Sequence, residues 1–145
     1  MGNIITTIIA LDVYGTILSS QDWDNELPPR TGFREFVKNV QDLGILLVTS
    51  SDAPIDTLKI NLGEGFKKIN LSLDIFDDFY KLSYYPKDFS EIISNYKIEP
   101  RQLFVIGDQY DKDIIGASRL GCNTFQIPEY RSFPDNFDFS SIKIQ

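Results

Sequence analysis

Short apolar runs alternate along this chain with stretches whose apolar residues recur at helical spacing, and that alternation leaves few folds open. Residues 4–11 form a run rich in Ile and Thr that stops at Asp12. Phe33, Phe36, Val37, Val40 and Leu43 then follow helical spacing, and Gly44 supplies the stop. Residues 45–48 form a second apolar run. Ser51 or Asp52 is placed to cap a short helix with Pro54 near its first turn. Ile55, Leu58 and Leu62 form the inner face of that helix, and the glycine-bearing residues 63–65 are expected to end it. Residues 76–82 read as a third strand, and Phe89, Ile92, Ile93 and Tyr96 mark another helix. Residues 103–106 read as a fourth strand ending at Gly107-Asp108. Ile114, Ala117 and Leu120 carry a helix that Gly121 ends, and residues 124–127 make a fifth strand closed by Pro128. Strands alternating with helices predict a doubly wound parallel sheet in a three-layer α/β/α sandwich. Residues 1–145 are read as one domain.

The bulk chemistry removes several function classes. No run reaches the ~20 apolar residues needed to cross a bilayer, so no membrane role is expected. The formal net charge is −7, with 14 basic against 21 acidic residues, which argues against a nucleic-acid partner. The N-terminus shows no signal-peptide pattern, and the single cysteine, Cys122, cannot form an internal disulfide; a cytoplasmic home fits both. The chain contains 0 histidines. Ser-His-Asp and Cys-His catalysis and imidazole-ligated zinc are therefore excluded. Proton transfer falls to Asp, Glu, Lys, Tyr or water. Any metal should be held through oxygen, which favours Mg²⁺ or Mn²⁺.

Parallel sheets bind ligands at the carboxyl ends of their strands, where strand order reverses. Three such ends carry reactive groups: Asp12 in Asp12-Val13-Tyr14-Gly15-Thr16, then Thr49-Ser50-Ser51, then Gly107-Asp108 with Asp113 beyond. Two carboxylates converging from neighbouring strands make a hard-oxygen site for Mg²⁺. A hydroxyl beside them holds a phosphate oxygen, and a lysine balances a phosphoryl group.

These segments resemble the motifs of the haloacid dehalogenase superfamily. Asp12-Val13-Tyr14-Gly15-Thr16 resembles motif I, Leu47-Val48-Thr49-Ser50-Ser51 motif II, and Gly107-Asp108-Gln109-Tyr110-Asp111-Lys112-Asp113 the Gly-Asp-x4-Asp motif IV. The resemblance spans residues 4–127 in the family's motif order. It implies strand order 5-4-1-2-3 and no cap domain. It also implies Mg²⁺-dependent phosphatase chemistry on phosphate esters or anhydrides, through an aspartyl-phosphate on Asp12. Asp12, Asp108 and the Tyr14 backbone carbonyl would ligate the metal, with Asp113 orienting the metal shell or the lysine. Thr49 would hold the phosphoryl group, with Ser50 and Ser51 competing for that role. Gly15 would permit the tight turn that aims the site. Capless members tend to take large substrates or borrow cover from a second subunit, so a protein substrate or a homo-oligomer is expected over the open site.

Two departures from the family pattern bear on activity. Phosphatases of the superfamily carry an acid/base aspartate two residues after the nucleophile; here Tyr14 stands there. A phenol titrates near ~10 and is a poor proton donor at neutral pH. Loss of general acid–base help, typically worth ~10²–10⁴-fold, should weigh most on alkyl phosphates. Tyrosine there resembles the 2-haloacid dehalogenases, but those use an inserted cap for which this chain has no room. Dehalogenase chemistry and a catalytically impaired binding module stand as alternatives. The motif III lysine is also displaced: Tyr85-Pro86 occupies the expected Lys-Pro position, which leaves Lys87, with Lys81 as fallback.

Other residues have plainer readings. Asp77-Asp78 read as a strand-edge turn rather than a metal pair. Trp23 is expected to cover the core. Cys122 reads as an inert small hydrophobe. Phe133, Phe137 and Phe139 of the tail are expected to pack back onto the sheet or form a partner surface.

Overall fold

A computed structural model describes residues 7–21 and 27–144. Strand β1 (Ile8–Leu11) is the centre of a five-stranded sheet with β2 (Leu46–Ser51), β3 (Phe76–Lys81), β4 (Leu103–Gly107) and β5 (Asn123–Gln126), ordered β3-β2-β1-β4-β5. This is the expected order, read from the opposite edge. Every pairing is parallel, and the registers place Leu11 level with Thr49 and Ile106, so that the carboxyl ends of β1, β2 and β4 lie on the same edge of the sheet. Trp23 and residues 4–6 lie outside the described residues.

The alternation of side chains along β1 divides the core. Ile9 and Leu11 face one layer, where helices α1 (Phe33–Asp42) and α2 (Ile55–Lys67) bring Phe33, Phe36, Val37, Leu58, Leu62 and Phe66. Ile8 and Ala10 face the other, where α3 (Ser90–Tyr96) and α4 (Ile115–Leu120) contribute Ile92 and Ala117. A strand buried on both sides needs both faces apolar, which is why residues 8–11 read as a continuous apolar run. Among the described residues no helix is long and apolar enough to cross a membrane. Among the described residues, each connection between strands holds one α-helix with short helical turns and loops, and no inserted cap is present.

Several boundaries differ from the sequence reading. Helix α2 runs through Gly63 and Gly65 to Lys67. Gly65 lets the helix approach the loop before α1: a Cβ there would stand 3.0 Å from Leu18 Cδ2, and burial of Leu62 and Phe66 outweighs glycine's poor helix propensity. Neither Ser51 nor Asp52 caps α2; Pro54 is at the N-cap, and Ser51 Oγ accepts from the Ala53 N–H at 3.1 Å. Strand β2 extends to Ser51, so Thr49, Ser50 and Ser51 belong to the sheet. Asp77 and Asp78 lie within edge strand β3 rather than in a turn.

The tail packs on α1, within the core layer that covers one face of the sheet. Phe139 is fully buried edge-on against Phe33 and Phe36, with ring centroids 5.1 and 4.8 Å away. Buried Arg30 holds the tail through Asp135, Nε to Oδ2 at 2.6 Å, with its guanidinium over the Phe137 ring. Phe133 is exposed. The Tyr130 N–H donates to the Gly15 carbonyl at 2.7 Å, which joins the segment after β5 to the turn after β1.

Candidate active site

The central strand delivers Asp12 to the carboxyl edge of the sheet, where its N–H donates to the Ile106 carbonyl at 3.0 Å. The side chain is almost wholly buried. Thr16 lies one turn further on, and its hydroxyl spans Asp12 Oδ2 at 3.1 Å and Asp108 Oδ1 at 3.3 Å. Sequence reasoning gave Thr16 no role, although it stands inside the quoted motif. Gly15 between them has φ +87°, and a Cβ there would lie 2.6 Å from Asp108 Oδ2. Glycine is needed both for the turn and for the carboxylate's approach.

After β4 the chain takes a π-helical turn (Tyr110–Ile114) before α4, a local widening often found at functional sites. It turns Asp113 inward. Asp113 Oδ2 accepts from the Gln109 N–H at 3.1 Å, and Gly107 leaves room, since a Cβ there would meet the Asp113 carboxyl at 2.5 Å. One ligand oxygen each from Asp12, Asp108 and Asp113 can be chosen so that all lie within 4.8 Å of one another.

Lys87 reaches this cluster from the segment before α3. Its Nζ is 3.0 Å from Asp12 Oδ1 and 2.6 Å from Asp113 Oδ1, with no side-chain exposure. Its N–H donates to the Lys112 carbonyl at 3.0 Å. Burial works against its charge, but Asp12 and Asp113 outweigh burial and raise its pKa. Lys81, the fallback, is exposed at the end of β3. Lys112 also forms an ion pair with Asp52, just beyond β2; there Lys112 and Lys87 overcome burial and lower the Asp52 pKa.

Thr49 and Ser50 separate by the pleat. Thr49 is buried on the α1/α2 side, level with Leu11, and its Oγ1 accepts from the Tyr80 N–H at 3.3 Å. Ser50 shares the face of Val48, which is also the face from which Lys87 enters. One residue past the Leu11–Thr49 pair, Asp12 stands level with Ser50. Ser50 Oγ is buried and has no hydrogen-bond partner. Tyr14 packs on the α1/α2 core, and its phenolic oxygen accepts from Asn61 Nδ2 at 2.6 Å. Asn61 was missed as well; a polar residue beside Leu58 and Leu62 on the inner face of α2 was the available signal. Asp77 is engaged with the Tyr96 hydroxyl, away from the carboxylate cluster. Burial pushes the Cys122 thiol up to about 11, which suits an inert core residue.

The electrostatics of the cluster are unbalanced. Three carboxylates face one buried ammonium. Burial, then the charge of Asp12, pushes Asp108 up to about 7; burial and Asp12 also raise Asp113, against the pull of Lys87. Hard oxygen donors with excess negative charge fit a divalent cation such as Mg²⁺.

A family model described as haloacid dehalogenase-like hydrolase matches residues 11–121, from the last residue of β1 through α4. The chain belongs to the haloacid dehalogenase-like hydrolase family. Solved structures share the fold of this haloacid dehalogenase-like chain. A haloacid dehalogenase-like family hydrolase from Xanthomonas campestris superposes with TM-score 0.70 at 10% identity, covering 94% of this chain and 92% of that one. A predicted phosphoglycolate phosphatase from Haemophilus somnus gives 0.64 at 13% identity, covering 97% and 92%. The D,D-heptose 1,7-bisphosphate phosphatase of B. bronchiseptica, solved with magnesium and phosphate, gives 0.61 at 13% identity over 83% and 80%. Among curated proteins no sequence relative was found.

Proposed function

We propose that this family member is a Mg²⁺-dependent phosphatase acting through an aspartyl-phosphate on Asp12. The observation that carries the reading is the shared placement of Asp12: one carboxylate oxygen lies on Lys87, and the residue belongs to a cluster of three carboxylates. The phosphatases among the fold's neighbours, one of them solved with magnesium and phosphate, support the same chemistry. Asp12, Asp108 and the Tyr14 carbonyl would hold the metal, which when bound would neutralise charge on the phosphoryl group. Asp113, with both oxygens engaged by Lys87 and the Gln109 N–H, is suited to orient the lysine.

In the reaction, an Asp12 carboxylate oxygen attacks phosphorus and the bond to the leaving oxygen breaks, with the electron pair departing on that oxygen. Water then attacks phosphorus of the aspartyl-phosphate, releasing phosphate and restoring Asp12. Lys87 and the Ser50 hydroxyl would offset charge on the phosphoryl oxygens. The unpartnered Ser50 hydroxyl makes it the better candidate for that contact than Thr49, whose oxygen already accepts from β3. Tyr14, tied to Asn61, supplies no carboxylate to protonate the leaving group. Aryl and acyl phosphates, whose leaving groups depart unaided, are therefore the favoured substrates.

The test is hydrolysis of p-nitrophenyl phosphate by purified protein with and without Mg²⁺, with binding of fluoroberyllate as a mimic of the phosphorylated aspartate. Turnover that needs Mg²⁺, and fluoroberyllate binding that vanishes in Asp12→Asn, support the phosphatase. Fluoroberyllate binding without turnover instead supports the binding module that the loss of an acid/base carboxylate at Tyr14 suggests.

A further inference from the structure

Beside the phosphoryl site, Asp52 and Lys112 form an ion pair between the loop after β2 and the π-helical turn after β4, the two strands that flank β1. Lys112 immediately precedes Asp113, and its carbonyl receives the Lys87 N–H, so its backbone is part of the frame around the buried lysine. Asp52 follows Ser50 by two residues and feels the charge of Lys87 as well as that of Lys112. The pair therefore borders the buried Lys87 that contacts Asp12. Its two members are held unequally. The Lys112 side chain is 23% exposed and that of Asp52 45%. A partly exposed ion pair contributes little to stability and exchanges readily. Asp52 can turn into water, whereas Lys112 has most of its stem covered. An incoming anion would thus displace Asp52 and take its place on a lysine already in position.

We propose that Lys112 is a specificity-determining residue that selects substrates carrying a second anionic group, a carboxylate or phosphate, close to the phosphate that is cleaved. This deepens the phosphatase reading and rests on it. Asp52 is the internal stand-in for that second anion. It holds the ammonium in place and makes competitors with a single anionic group meet an occupied lysine. The proposal differs from the charge balance of the phosphoryl group itself, which falls to Lys87.

The experiment compares methylphosphonate with phosphonoacetate, the same phosphonate with and without a carboxylate, titrated calorimetrically into the Mg²⁺-loaded full chain. Wild type should bind phosphonoacetate about tenfold more tightly, the factor expected from one charge-assisted hydrogen bond. Lys112→Gln should bring the ratio of the two affinities close to one. Asp52→Asn, which frees the lysine, should increase it. A general loss of structure would weaken both ligands together and leave the ratio unchanged, so the ratio isolates the contact. Equal affinity in wild type, no binding of either ligand, or a preference that survives Lys112→Gln overturns the proposal. Hydrolysis of p-nitrophenyl phosphate is followed in parallel. Preference without turnover would remove the phosphatase reading and leave the second-anion site standing, and turnover without preference would do the reverse.

Discussion

Asp113 grips Lys87 through a 2.6 Å ion pair in which neither side chain reaches solvent. They arrive from the π-helical turn after β4 and the segment before α3, and the lysine is shared with Asp12 at 3.0 Å. One buried cation thus offsets part of the charge of a carboxylate cluster that, among the described residues, has no other ammonium within it.

Removing that cation should be costly. Breaking a buried pair by deleting one partner typically costs ~3–5 kcal/mol, because a charge is left uncompensated. Lys87→Ala should lose stability of that order in urea unfolding of metal-free protein, and p-nitrophenyl phosphate turnover should fall by about 10²-fold or more. A Lys81→Ala control, at an exposed position, should change unfolding by less than about 0.5 kcal/mol.

The cluster also sets a pH dependence. Asp108 is pushed up to about 7 in the fold, above its ordinary value of 3.8. A raised folded-state pKa means the native protein binds more protons than the unfolded chain between those values. Stability of metal-free protein should therefore be fully present at low pH, as far as this group is concerned, and be lost as pH rises from about 4 through 7. Asp113, also raised, adds in the same direction. Thermal unfolding followed from pH 5 to 8 in chelator should show a falling midpoint. Added Mg²⁺ should restore it most at pH 8, where the proton no longer competes. Asp108→Asn should flatten the chelator profile and weaken the Mg²⁺ response.

Ser50 should separate function from stability. Its buried hydroxyl has no partner, so Ser50→Ala removes an unsatisfied group and should leave stability within about 1 kcal/mol of wild type or above it. Turnover of p-nitrophenyl phosphate should nevertheless drop by roughly 10²-fold if the hydroxyl contacts the phosphoryl group in the transition state. Thr49→Val should show the reverse order of effects, since Thr49 Oγ1 accepts from the Tyr80 N–H.

Tyr14 should govern which leaving groups are tolerated. Introducing a carboxylate with Tyr14→Asp should raise turnover of alkyl phosphates by up to about 10²–10⁴-fold, the usual range of general acid–base help and roughly 3–5 kcal/mol of barrier. Aryl phosphate turnover should change little. An unchanged alkyl rate in a folded Tyr14→Asp protein would show that the missing acid is not what limits the reaction.

The layered sheet was legible because a strand covered on both faces must be apolar along its whole length, and residues 8–11 and 103–106 meet that condition without help from distant parts of the chain. Helix α1 of the first layer was legible from Phe33, Phe36, Val37 and Val40. Where distant contacts set the outcome, local signals misled. Gly63 and Gly65 read as a helix end, yet α2 continues because Phe66 finds a place in the core. The tail aromatics gave no address, because Phe139 has a partner only once α1 has presented Phe33 and Phe36.

The order of short-range signals in this chain was enough to specify parallel strands, the ends at which Asp12, Ser50 and Asp108 emerge, and a chemistry restricted to oxygen ligands by the lack of histidine. Those properties follow from periodicity and residue type, which act over a few neighbours. Which hydroxyl shares the face of Asp12, which lysine is buried beside it and where the Tyr14 phenol goes depended on register, pleat and loop packing. Thr49 and Ser50 are chemically similar and adjacent, and only the alternation of side chains across a sheet of known strand order sends one to β3 and the other to the face of Asp12. Lys87 and Lys81 likewise differ through burial against Asp113, a contact between distant segments that no local pattern encodes.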